Sequence, residues 1–88
     1  MKDFYIDPKN ATHVRVHQQD KDEWVIDAAD DEGGYTEVCW DSWYATNASG
    51  EREWYRIMSE EAARALAPKF IEENVPHLKG TEPRTVTA

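Results

Sequence analysis

Residues 12–41 read THVRVHQQDKDEWVIDAADDEGGYTEVCWD, and the order of apolar and polar positions in this stretch decides the fold. From Thr12 to Gln18 the chain alternates. Val14 and Val16 fall on one face and His13, Arg15 and His17 on the other, the period-two signature of a strand half buried against a core. A turn over Gln19-Asp20-Lys21-Asp22 ends this strand. Trp24, Ile26 and Ala28 carry the apolar face onto a second strand, with Glu23, Val25, Asp27 and Ala29 opposite. The loop Asp30-Asp31-Glu32-Gly33-Gly34 follows, its glycines tolerant of positive φ and its acids easily solvated. A third strand is expected from about Tyr35 to Trp40, with Val38 and Trp40 inward.

Pairing the second and third strands around that five-residue loop sets Ile26 opposite Val38 and Trp24 opposite Trp40, apolar on one face throughout. On the other face the same register sets Asp27 opposite Glu37 and Glu23 opposite Asp41. Like charges directly across a ladder destabilise it by roughly a few tenths of a kcal/mol or more. A short first turn then places His17 opposite Glu23 and His13 opposite Asp27, where they relieve part of the acidic face.

Beyond Asp41, Ser42 to Thr46 continues or bends the strand, Asn47-Ala48-Ser49-Gly50 is a turn cluster, and Glu53 to Met58 (EWYRIM) reads as a fourth strand. Ser59 has the chemistry of an N-cap, with Glu60 and Glu61 in the first turn where carboxylates favour the helix dipole. Ala63, Leu66, Ala67, Phe70 and Ile71 follow at helical spacing, giving an amphipathic helix of about fifteen residues. Pro68 predicts a kink or break near Arg64 to Ala67, because proline lacks the N–H and crowds the preceding turn. The expected architecture is α+β: an antiparallel sheet of three or four strands packed by one kinked C-terminal helix. Residues 1–76 form one domain and 77–88 a disordered tail with little to bury.

The charge is concentrated in the same stretch. Between Asp20 and Asp41 nine carboxylates stand against one lysine, while the rest of the chain balances nine acids with nine bases, so the net charge of −8 belongs to this segment. A chain of 88 residues buries only roughly 60–65% of the surface its unfolded form exposes, so the core is one small layer. Four Trp and four Tyr compensate, each burying a large area. The single Cys39 forms no internal disulfide, which suits a reducing interior. The N-terminus has no apolar h-region and no run nears the ~20 apolar residues of a membrane span. A cytoplasmic location is therefore expected, with no membrane contact, and the two Asn-X-Ser/Thr triplets at Asn10 and Asn47 read as chance matches.

Catalytic and metal chemistry find little support in the residue pattern. An EF-hand with Gly33 at its sixth position needs an acid where Ala28 stands and a bidentate Glu where Cys39 stands. His13 and His17, four residues apart on a strand, are separated by about 13 Å and cannot chelate one ion. Cys39 sits among acids that discourage its thiolate and reads as a small buried or half-buried side chain. No Ser/His/Asp spacing and no glycine-rich phosphate loop is present. Neither an enzyme, a cofactor nor a metal site is expected. Trp24 and Trp40 read as core. In the dipeptides Trp43-Tyr44 and Trp54-Tyr55, strand neighbours point to opposite faces, so one of each pair either meets solvent or a partner or joins a second cluster under the helix.

The acids Asp20, Asp22, Glu23, Asp27, Asp30, Asp31, Glu32, Glu37 and Asp41 on a small hairpin resemble the phage-encoded anti-restriction and anti-CRISPR proteins that mimic nucleic-acid charge. That is a resemblance of class over about a quarter of the chain, carried by charge and by no shared motif. It implies an inhibitor, monomeric or weakly dimeric, that acts in the cytoplasm of a bacterial host, binds a basic nucleic-acid-binding protein or nucleoprotein complex of the host's defence, and does not itself bind nucleic acid. Carboxylates would meet the Lys and Arg that otherwise release DNA counterions, with Trp43 or Trp54 as apolar anchor. Gly33-Gly34-Tyr35-Thr36-Glu37-Val38 and Ser59-Glu60-Glu61-Ala62 also resemble HicB-like antitoxins, whose Pro-Asp-Leu-Pro-Gly segment is replaced here by Trp40-Asp41-Ser42-Trp43. That alternative implies a toxin partner, and a general acidic interaction module is a third reading.

Overall fold

A computed structural model describes residues 5–41, 45–46, 52–53 and 57–86. In chain order these form strands β1 (Tyr5–Ile6), β2 (His13–Asp20), β3 (Glu23–Ala29), β4 (Tyr35–Thr36), β5 (Ala45–Thr46) and β6 (Arg52–Glu53), helix α1 (Glu60–Asn74) and strand β7 (Arg84–Val86). Short 3-10 turns at Pro8–Asn10 and Pro76–Leu78 join them. The α+β class with a C-terminal helix on the sheet is as expected, but the sheet is mixed rather than antiparallel. Its order is β1-β4-β3-β2-β7, in which β1 pairs parallel to β4 and β7 parallel to β2. Strands of two and three residues show no periodicity, and a parallel partner has no adjacent turn to betray it. β5 and β6 form a separate antiparallel pair. Of the expected fourth strand, Glu53 is in β6, residues 54–56 lie outside the described residues, and Ile57 is fully buried with its carbonyl accepting from Trp24 N.

The inward face is the one the alternation selects. Val14, Val16, Trp24, Ile26 and Ala28 join Trp40, Ile57, Phe70, Ile71, Val75 and Leu78 in one core. Ala63, Ala67, Phe70 and Ile71 are the buried positions of α1, one stripe at helical spacing. The Trp40 and Phe70 rings meet edge to face at 5.4 Å. Ser59 caps the helix, its Oγ accepting from Ala62 N at 3.1 Å. Pro68 does not break the helix, which runs from Glu60 to Asn74. Pro68 is exposed, so the hydrogen bond it forfeits is on the solvent side, where water can substitute.

Two registers differ from expectation. β2 runs two residues further, to Asp20, and the turn is Lys21-Asp22 alone, with a shift between Gln18 and Asp20. His13 therefore opposes Ala29, Arg15 opposes Asp27 and His17 opposes Val25. The displacement from the expected pairing is two residues, an even number, so every side chain keeps its face. In the second hairpin Ala29 opposes Tyr35, but the next bridge is Ile26 to Trp40, leaving two extra residues in the third strand. Neither Trp24 with Trp40 nor Ile26 with Val38 forms a pair, and the Asp27–Glu37 and Glu23–Asp41 oppositions are absent. Thr36 fills the gap: its buried hydroxyl accepts from Ala28 N at 3.2 Å and lies 2.9 Å from the Val38 carbonyl. β3 is central and buried on both faces from Trp24 to Ala29, so Val25 and Ala29 are shielded as well.

Residues 77–86, expected as a tail, are folded. Leu78 enters the core, His77 Nε2 lies 2.8 Å from the Ala11 carbonyl, and β7 extends the sheet. Thr85 donates to Glu60 Oε2 at 2.6 Å and receives a close hydrogen bond from the Arg64 guanidinium, which tie the last strand to the first turns of α1. Among the described residues no helix is long and apolar enough to cross a membrane.

Candidate functional site

The sheet face turned away from the core carries His13, Arg15 and His17 from β2, Asp27 from β3 and Arg84 from β7, placed there by strand alternation and register. Asp27 is the centre of this face. Only 4% exposed, its carboxylate receives two hydrogen bonds from Arg15, Nε at 2.8 Å and Nη2 at 2.7 Å, and lies 3.2 Å from His17 Nε2. Burial pushes the Asp27 carboxyl upward, but the hydrogen bonds and charges of His17 and Arg15 outweigh it and hold the pKa below the ordinary carboxylate value. The same contact raises Arg15, whose guanidinium also lies over the Tyr35 ring at 5.8 Å. His13 is buried, and desolvation followed by the Arg84 charge lowers its pKa. Its Nδ1 lies 2.9 Å from Thr12 Oγ1 and 3.7 Å from Asp31, which Arg84 also approaches at 3.3 Å. The result is a charge-balanced network across the hairpin.

The acids of the loops divide by role. Asp30 builds its own loop: Oδ1 accepts from Gly34 N at 2.7 Å and Glu32 N at 3.0 Å, and Asp30 N donates to the Gly34 carbonyl. Gly33 has φ of +93°, and a Cβ on Gly34 would lie 2.5 Å from Ile6 Cγ2 and 2.9 Å from the Asp30 carboxylate. The glycine pair is thus needed once for conformation and once for space. Asp20 accepts from Lys21 N at 2.7 Å in the opposite turn. Asp22, Asp31, Glu32 and Glu37 are exposed, while Glu23 and Asp41 are half-buried.

These acids form no single patch. Asp20 and Asp22 stand at one end of β3 and Asp30, Asp31 and Glu32 at the other, separated by the seven residues of that strand, about 20 Å. Asp27 lies between them, buried. Trp43 and Trp54 are outside the described residues. Cys39, expected to be at least half-buried, is exposed; partial desolvation and the Asp41 and Asp27 charges push its thiol pKa up.

Sequence reasoning missed Arg15 as the partner of Asp27 and Arg84 as the partner of Asp31. The first signal was present in the His-Val-Arg-Val-His alternation and lacked only the register. The second contact joins residues 53 apart and leaves no local signal. Chemically, the Asp27 carboxylate is occupied by Arg15 and His17. Among the described residues no group of three or more His, Cys, Asp or Glu is placed to hold a metal ion. Compared with protein-family models, with curated proteins and with solved structures, the chain matches none.

Proposed function

We propose that this protein acts by binding, without catalysis, occupying a basic nucleic-acid-binding surface of a bacterial defence complex and presenting carboxylates where phosphates would lie. The observation that carries the reading is the exposed acid surplus at the two ends of β3: Asp20 and Asp22 at one, Asp31 and Glu32 at the other, with Glu37 exposed further along the chain. Carboxylates at such tips add little to the core, and they contribute long-range attraction to a cationic groove. Asp27 and Asp30 serve the hairpin and its loop and are scaffold in this reading.

The test is competition. Purified CRISPR effector complexes and restriction endonucleases are loaded with labelled duplex DNA and titrated with the protein. Displacement from at least one is expected, weakened about tenfold in the Glu32→Lys, Glu37→Lys double variant, two exposed acids that make no ion pair among the described residues. A protein that leaves every DNA complex intact at low salt, or that shifts free DNA itself, does not work this way.

A further inference from the structure

Between the C-terminal half of α1 and the loop from Lys79 to Pro83 lies an open groove of about 480 Å³, within the roughly 300–1,000 Å³ of small-molecule sites. Its apolar surface comes from Pro68, Ile71 and Pro83. The outer wall is held by the turn after the second 3-10 segment: Thr81 N and Thr81 Oγ1 both donate to the Leu78 carbonyl, at 3.0 and 2.7 Å, and Gly80 adopts φ of +88°. β7 and its tie to Glu60 fix the far end of the loop. The wall is therefore anchored on both sides.

Four charged residues line the groove, and they are not equivalent. Arg64 is engaged by Glu60 at 3.2 Å and approaches Glu82 at 3.8 Å. Lys79 and Glu72 are exposed and make no ion pair among the described residues. One open cation and one open anion thus border an apolar floor. A purely cationic ligand meets Lys79 unfavourably, a purely anionic one meets Glu72 unfavourably, and an uncharged apolar one leaves both unused.

We propose that this groove binds a small zwitterion with an apolar body, an apolar amino acid or dipeptide. Its carboxylate pairs with Lys79, its ammonium with Glu72, and its side chains rest on Pro68, Ile71 and Pro83. This site is separate from the acidic loops and stands whether or not they bind a basic partner.

The probe is leucyl-leucine, compared at neutral pH with its N-acetylated form, which keeps only the carboxylate, and its C-amidated form, which keeps only the ammonium. Amide shifts of Ile71, Gly80 and Thr81 are followed by NMR in the full chain. The expected result is saturable shifts at these residues, with the dipeptide binding about two- to fivefold more tightly than either derivative. Lys79→Gln should erase the preference over the amidated form, and Glu72→Gln the preference over the acetylated form; both residues are exposed, and unchanged melting temperatures check the fold. No shifts at the groove overturn the proposal, as does either derivative binding as tightly as the dipeptide. Tighter binding of the amidated form would assign the groove to a cationic side chain instead.

Discussion

Arg15 and Asp27 face each other across the β2–β3 hairpin and join through two hydrogen bonds of 2.8 and 2.7 Å, with the Asp27 side chain 6% exposed and that of Arg15 26%. A fork of this kind combines charge with fixed geometry and locks the register of the two longest strands. The carboxylate in the middle of the acidic segment is therefore part of the framework.

Asp27→Asn should destabilise the protein by about 2–3 kcal/mol, since the hydrogen bonds lost are charge-assisted. Arg15→Met should cost more, about 3–5 kcal/mol, because it leaves the more deeply buried charge less compensated. Combining Arg15→Met with Asp27→Leu should recover most of the loss, because apolar pairs of similar volume can replace a buried ion pair. Urea denaturation of the three variants checks the series. A neutral Asp27→Asn would contradict the pairing.

The loop glycines predict an order. Gly34→Ala drives a Cβ into Ile6 and the Asp30 carboxylate and should cost about 1–3 kcal/mol as local overpacking. Gly33→Ala has open space around it and should cost about 1–2 kcal/mol for its backbone conformation alone. Chemical denaturation midpoints should fall further for Gly34→Ala; the opposite order would mean that Ile6 yields easily.

The acids of the same loop should separate by function. Asp30→Asn keeps one acceptor oxygen and should be mild, whereas Asp30→Lys removes the acceptor for Gly34 N and Glu32 N and should lower the melting temperature. Glu32→Lys should leave the melt within a few degrees and act on binding, whereas Asp31→Lys removes the partner of Arg84 and should lower the melting temperature as well. Association with a basic partner should also slow between low and physiological salt, as screening shortens to about 8 Å. A salt-independent on-rate would point to apolar contacts as the steering force.

The hairpin was legible in the sequence because alternation over seven or eight residues is a strong signal and its inward face contains no contradiction. The helix was legible because Ser59, Glu60 and the Ala63-Ala67-Phe70-Ile71 stripe agree with one another. The register was not, since a shift at Gln19 in one strand and two extra residues around Thr36 in another leave apolar alternation intact while changing every partner. The outer strands were not legible either: Tyr5–Ile6 and Arg84–Val86 are held by long-range parallel pairing and by Glu60, Arg64 and Asp31. As a result Glu23, Asp27, Glu37 and Asp41 read as one self-opposing face, whereas the fold buries Asp27 in an ion pair with Arg15 and opposes none of these acids to another.

The same network predicts a pH dependence whose sign is diagnostic. His13 is buried beside Arg84, Arg15, Asp31 and Asp27, and desolvation together with the two arginines depresses its pKa below the ordinary 6.5 despite Asp31 and Asp27. The unfolded chain then binds a proton at His13 more readily than the folded one, so this contribution to stability is full above pH 6.5 and is lost as the pH falls below it. Asp27 acts in a lower window: its folded pKa is depressed below 3.8, so its contribution is present above that value and is lost as the pH falls through the folded pKa. Melting temperatures should therefore decline in two stages on acidification. His13→Gln should flatten the first stage, and Asp27→Asn, already less stable at neutral pH, should lose the second. If the 3.7 Å contact with Asp31 instead dominated the environment of His13, the protein would gain stability as the pH is lowered through 6.5, and that rise, absent in Asp31→Asn, would reverse the assignment of His13.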